Sequence, residues 1–323
     1  MPKRIDWESQ IGRRLKLRDL HVFFTAVQLG SMAKAARQLS VSQPAVSEII
    51  ADLENALGVR LLDRHPQGIE PTTFGEALMK RSAAVFDELK QSVRDIEFLA
   101  DPSAGEVKFG CTEAMAAILS PVLERFSRQY PRALLRTFLI TRPFDLAGLR
   151  GRSFDFTVGH LVRVPGDRLI DDLNVEVLFE DRLVVATGMS SPWAARRRQI
   201  DLAELVDEAW ILAEAPDSWN YSVVAAAFRA RGLRMPRISA MTFSVHLRMG
   251  MLGSGHFITT FPNAILRFHP SRRSIKVLPV ALPDRPWPVV IVTLKNRTLN
   301  PVVKRFIAHI RDFTRPMRSH ETR

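Results

Sequence analysis

The residues of this 323-residue chain whose types and spacing suit chemistry fall into two groups. The first is compact. Ser42, Gln43, Pro44, Ser47 and Glu48 open a run in which Val46, Ile49, Ile50, Leu53 and Leu57 recur at helical spacing. With that apolar stripe buried, Gln43, Pro44, Ser47, Glu48 and Ala51 occupy the open face. A carboxamide can bridge adenine N6 and N7, and a hydroxyl can donate or accept. A proline ring can lie against a thymine methyl, and a carboxylate can accept from cytosine N4 while repelling phosphates. Residues at the start of a recognition helix are those that reach base edges. Capping is the plainer role for Ser42 and Gln43. It suits Ser42 better, whereas Gln43 reads as a base contact. Arg64 lies further on, beyond a break, and suits a phosphate or the minor groove. An ordinary surface ion pair is its alternative.

The second group is dispersed, and each member follows a strand-like segment. In α/β sheets, ligands sit beyond the carboxyl ends of strands, against helix N-termini. Thr112 would hold a hydroxyl at such a mouth, with Glu113 beside it. Two readings stand for Glu113. At a helix start it stabilises the dipole. Facing a cleft, it would disfavour a carboxylate ligand and favour hydroxyls or a cation. His160, Ser218, Trp219, Phe243, Ser244, Phe261 and Pro262 end other strands or begin the turns after them. For His160 and Trp219, a packed structural role is the equal alternative. Arg196-Arg197-Arg198 reads as a solvated loop.

Catalysis finds little support. Cys111 is the only cysteine and has no nearby histidine, so it reads as a small core hydrophobe and excludes a disulfide framework. No metal, nucleophile-elbow, P-loop or dinucleotide fingerprint occurs. Residues 1–17 lack an apolar core of the secretory kind, and the longest stretch without charge, 249–266, is too polar to span a membrane. A cytoplasmic, nucleoid-associated protein with no membrane partner is expected, with no cofactor and no metal. The net charge is +12, but residues 1–65 carry only +3 and 66–100 carry −2. Nucleic-acid binding near the N-terminus therefore rests on motif, not on overall charge.

The elements that must position these residues differ along the chain. Leu20, Phe23, Phe24 and Val27 mark a first helix, stopped by Gly30. Ser31 caps a second over about 32–39, and Ser42 caps a third, with Pro44 in its first turn. Two short helices around a brief turn form a helix-turn-helix pattern. Residues 59–72 suggest a hairpin with its tip at His65-Pro66-Gln67-Gly68. Thr73-Phe74-Gly75-Glu76 reads as a capping box that opens a helix running to about residue 100. Its heptad register puts Leu89 and Ile96 at a, and Leu78, Val85 and Leu99 at d, which suits pairing of two copies. Residues 101–105 read as a hinge. Beyond it, strand-like segments at 107–111, 134–140, 154–158, 175–179, 183–187, 210–212, 237–242, 256–260, 274–278 and 289–294 alternate with helices near 115–129, 144–150, 222–231, 245–252 and 301–313. That grammar implies an α/β fold with mainly parallel sheets and room for two lobes.

These residues together resemble the LysR-type transcriptional regulator family. The resemblance is carried by Leu20-His21-Val22-Phe23, by Gly30 to Ala36, by Leu39 to Ser47, by Leu53 to Arg64 and by Thr72-Thr73-Phe74-Gly75. Leu119-Ser120-Pro121 and Phe126 to Pro131 extend it past the hinge. It implies an α+β multidomain chain: a winged helix-turn-helix over 18–72, a linker helix over 73–100 and a two-lobed, periplasmic-binding-protein-like effector domain over 106–315. Residues 1–17 and 316–323 are then an N-terminal extension and a C-terminal tail. It also implies double-stranded operator DNA, a small-molecule effector, a homodimer or homotetramer, and RNA polymerase as partners. Glu48 departs from the family, where a basic residue often stands. A ligand-independent architectural DNA-binding protein and a solute-binding protein are the competing readings.

Overall fold

The computed structural model describes residues 15–140, 146–161, 171–213, 219–282 and 286–318. Two compact units divide the chain at Val93 and Arg94, and each is treated by itself.

In the N-terminal unit, α1 (Leu17–Leu29), α2 (Met32–Gln38) and α3 (Gln43–Leu57) follow the apolar spacing. Gly30 ends α1 in the left-handed region at φ 61, where a side chain would be strained. Ser31 caps α2 by accepting from Lys34 N–H, and Ser42 caps α3 by accepting from Ala45 N–H. The turn between α2 and α3 has no glycine; Ser40 takes the left-handed conformation instead, at φ 55. Leu20, Phe23, Ala35, Val46, Ile50 and Leu53 close one core. β1 (Leu62–His65) and β2 (Gly68–Pro71) pair antiparallel as the expected wing.

Helix α4 runs over Thr73–Ala100. Its cap is Thr72, not Thr73: Thr72 Oγ1 accepts from Gly75 N–H at 3.2 Å and donates to Arg60 O at 2.8 Å. Glu76 contributes its charge to the first turn. A Cβ on Gly75 would lie 2.2 Å from Leu61 O, so only glycine lets α4 start this close to the wing.

Among the described residues, the C-terminal unit contains two five-stranded sheets. Lobe I is built on β3 (Ala104–Cys111), β4 (Arg132–Leu139), β5 (Phe156–His160), β6 (Leu173–Asp181) and β12 (Trp287–Leu294), in the order β4-β3-β5-β12-β6. Lobe II is built on β7 (Leu183–Gly188), β8 (Ala209–Leu212), β9 (Arg237–Met241), β10 (Phe257–Pro262) and β11 (Ile275–Val277), in the order β11-β7-β10-β8-β9. The expectation of mainly parallel sheets needs correction. Each sheet joins a parallel half to an antiparallel half. The cause is the chain path. It passes from β6 to β7 through Arg182 alone and returns to lobe I in β12, which runs antiparallel between β5 and β6.

Helices α5 (Glu113–Gln129) and α10 (Pro301–Arg318) cover lobe I. Phe109, Phe126, Phe156 and Phe306 pack there, with Phe109 and Phe156 stacked at 5.3 Å. Lobe II centres on Trp210, whose Nε1–H donates to Leu205 O at 2.8 Å, and on Phe228 of α7 (Trp219–Ala230). The helices α6 (Leu146–Arg150), α8 (Val245–Leu252) and α9 (Asn263–Phe268) complete the order; α9 was not anticipated. Two expected boundaries also move. Ala104 and Gly105 pair with β4 rather than belonging to a hinge, and α10 continues into the expected tail as far as Arg318. Residues 144 and 145 of the expected sixth helix lie outside the described residues.

Candidate functional site

Two places gather the residues singled out above. The first is the N-terminal turn of α3. Ser42, Gln43, Pro44 and Glu48 are exposed there. Ser47 is half-buried and donates its hydroxyl proton to Met32 Sδ at 3.2 Å, which leaves its lone pairs to accept. Arg64 is exposed on β1.

The wing does not hang free. Glu54, on α3, turns its carboxylate to the chain entering β1. Oε1 accepts from Leu61 N–H at 2.7 Å and from Leu62 N–H at 3.2 Å. At the other end, Ile69 N–H donates to Gly30 O at 3.1 Å. The recognition helix and the α1–α2 turn therefore both fix the hairpin that carries Arg64. Sequence reasoning did not single out Glu54. Its position on the third helix was visible, but its partners were not.

The second place is the junction of the two lobes. Thr112 caps α5, its Oγ1 accepting from Met115 N–H at 3.4 Å. Ser244 caps α8 by accepting from Leu247 N–H at 3.2 Å. Glu113 joins them: its carboxylate accepts from Ser244 Oγ, Val245 N–H and His246 N–H, at 3.2, 2.8 and 3.0 Å. Thr112, Glu113 and Ser244 thus come together, with Phe243 exposed beside them. Ala114 and Ala117 of α5 pack against the lobe II cluster of Met249, Leu252, Phe261 and Ile265.

The remaining members of the dispersed group go elsewhere. His160 is 6% exposed, and its Nε2 lies 3.3 Å from Asp181 Oδ2. The other oxygen of Asp181 accepts from Arg182 N–H and Ala264 N–H. His160 therefore belongs to the brace where the chain crosses between lobes, not to a rim. Phe261 is fully buried under the Arg248 guanidinium, 4.8 Å from its ring centroid. Pro262 is buried as the residue before α9. Trp219 opens α7, and Ser218 lies outside the described residues. Burial pushes the Cys111 thiol up to about 12, which suits a packing role.

On α4, Val85, Leu89, Ile96 and Leu99 are exposed, the last by 80%, and Val93 joins them. Leu78 does not. It packs with Met79 and Phe86 on the core of the N-terminal unit, because the first turns of α4 are still part of that fold. Among the described residues, no helix is long and apolar enough to cross a membrane, and no cluster of His, Cys, Asp and Glu is arranged to hold a metal.

A capped recognition helix with a braced wing, followed by a long helix and two lobes joined by two crossovers, defines a class of DNA-binding regulator. The comparisons agree. Residues 17–76 match the bacterial regulatory helix-turn-helix protein, lysR family, and residues 100–315 match the LysR substrate binding domain. The chain belongs to the LysR family of transcriptional regulators: a DNA-binding regulator with a small-molecule effector domain. It is 27% identical over 311 residues to the HTH-type transcriptional regulator GbpR of Azospirillum brasilense, covering 96% of this chain and 90% of that one. It is 28% identical over 248 residues to TdcA of Escherichia coli strain K12, covering 76% of this chain and 77% of that one. Among solved structures, a full-length OxyR variant from Pseudomonas aeruginosa aligns with TM-score 0.61 and 22% identity over 93% of this chain and 95% of that one. Full-length CbnR complexed with its target DNA aligns with TM-score 0.58 and 21% identity over 93% and 100%.

Proposed function

We propose that two copies pair through the exposed apolar stripe of α4 and present two α3 helices to two half-sites of an operator. The observation that carries this reading is the open face of α3 itself. Its cap is satisfied internally, its apolar side is buried, and Gln43, Pro44 and Glu48 face solvent beside a wing bearing Arg64. Gln43 and Ser47 read base edges, Pro44 packs on a thymine methyl, Glu48 discriminates by accepting from cytosine, and Arg64 contacts the backbone. CbnR, one of the solved structures of this fold, is described in complex with its target DNA. The stripe of Val85, Leu89, Ile96 and Leu99 supports the dimer. Two dimers would make a tetramer, and RNA polymerase would be the partner at the promoter. The protein works in the cytoplasm on the nucleoid, without a cofactor and without catalysis.

The effector, in this reading, is a small polar molecule held at the lobe junction, near Thr112, Ser244 and Phe243. Its differential affinity for lobe arrangements would shift how the dimer sits on DNA, and operator must then change effector affinity by the same factor. The test has two arms. Selection from a random duplex pool should enrich a two-half-site sequence, and calorimetry with an effector found by thermal screening should show affinity altered by that duplex. Recovery of no preferred sequence would refute operator reading. Identical effector affinity with and without operator would refute the coupling.

A further inference from the structure

Helix α8 begins with three backbone N–H groups that have no acceptor inside the helix. Ser244 Oγ takes that of Leu247. The other two, from Val245 and His246, go to Glu113, on a helix of the other lobe. Ser244 adds its hydroxyl proton to the same carboxylate. One carboxylate thus receives three donors at a positive helix end, the arrangement by which helix N-termini hold free anions.

A second observation lies in the same turn. Arg248 is 3% exposed. Its Nη1 donates to Thr260 O at 2.8 Å, and its guanidinium rests on Phe261, but among the described residues its Nε has no hydrogen-bond partner. Thr260 Oγ1, fully buried, also has none. A buried cation with an unused donor is costly unless negative charge lies near. Burial lowers Arg248 to about 10, and the Glu113 carboxylate opposes that fall. Arg248 is therefore still charged at neutral pH, with Glu113 as its electrostatic counterpart.

We propose that the first turn of α8, with Arg248 buried in the same turn, is a carboxylate seat, and that Glu113 is its built-in occupant, latching lobe I to lobe II. The seat is filled from within the chain. A free carboxylate takes it only when Glu113 is withdrawn. The effector recognised at this junction is then a molecule without a carboxylate at that point. This last step rests on the proposed effector site; the seat and the latch do not.

The experiment uses the full chain and acetate as the probe. Glu113→Ala removes the occupant and should lower the melting temperature by roughly 3–10 °C, as expected for lost charge-assisted hydrogen bonds. Acetate should then restore stability saturably, while sodium chloride at equal ionic strength and acetamide should not. Wild type should show no saturable acetate effect, because its seat is taken. Adding Arg248→Met to Glu113→Ala should abolish the rescue. Should Glu113→Ala fail to fold, Glu113→Gln, which keeps the size and one acceptor oxygen, should melt below wild type with a small acetate response, and a Glu113→Gln melt equal to wild type would overturn the proposal. The proposal is overturned if Glu113→Ala melts like wild type, if chloride matches acetate, or if acetate stabilises wild type equally. Operator binding and effector coupling are measured apart from this, so loss of either leaves the acetate result standing.

Discussion

Glu54→Ala separates wing positioning from base reading. Leu61 and Leu62 are each 1% exposed, and Glu54 Oε1 is the acceptor for both backbone N–H groups. Removing it leaves two buried donors without that partner. Each such loss costs about 1–3 kcal/mol. The site is half-buried, so water recovers part of this, and we expect about 2–4 kcal/mol in total. For a domain of this size, that lowers the first unfolding transition by at least about 8 °C. Glu54→Gln keeps an acceptor oxygen and should lose less than half as much. The wing should also become mobile, so DNA affinity should fall with a shallower salt dependence, because Arg64 no longer reaches a phosphate reliably. Calorimetric melting and fluorescence anisotropy at several salt concentrations read both effects. A Glu54→Ala melt within 0.5 kcal/mol of wild type, as is usual for an unremarkable surface change (about ±0.5 kcal/mol), would refute the bracing role.

Three further outcomes follow from the same geometry. Gln43→Ala should cost about 1–3 kcal/mol on the preferred operator and little on random duplex, whereas Arg64→Ala should weaken both; equal losses on the two DNAs for Gln43→Ala would remove it from base reading. Leu89→Arg puts a charge in the exposed α4 stripe and should shift sedimentation toward monomer and reduce operator affinity; an unchanged oligomer would place the main interface elsewhere. Cys111 should resist Ellman's reagent at pH 8 until the protein unfolds, because burial keeps the thiol protonated, and prompt labelling of the native chain would contradict its burial.

How far these features could be read from sequence depends on the distance over which each is decided. Helices α1 to α3 were legible because their caps and apolar stripes lie within one or two turns. The ten strand positions after residue 104 were legible for the same reason, although their ends moved by a few residues. Strand direction was not. Whether β12 runs with or against β5 depends on where the chain crosses between lobes, and no local pattern records that. The α4 stripe was readable as apolar, but the loss of Leu78 to the N-terminal core depends on packing with Phe86 and its neighbours.

The site divides the same way. Thr112 and Ser244 each stand before a helix and accept from a backbone N–H three residues on, so a local rule finds them. Glu113 satisfied a local rule as well: an acidic residue in a first turn stabilises its own helix. Its hydrogen bonds, however, are spent on a different helix more than 130 residues away. Two readings were open for it, a dipole partner or a charge facing a cleft that draws in hydroxyls or a cation. The structure shows a carboxylate already engaged by three donors from the opposite lobe. A charge so engaged offers little to a cation, and its removal should create affinity for anions rather than abolish affinity for cations. His160 followed the same logic in reverse. At a strand end it suits a ligand, yet Asp181, across the crossover, takes its Nε2 and also holds the start of α9. In both cases the residue type was informative and its partner decided the role. The chemistry of the lobe junction is therefore set by which carboxylate reaches which helix end, a matter of tertiary register rather than local motif.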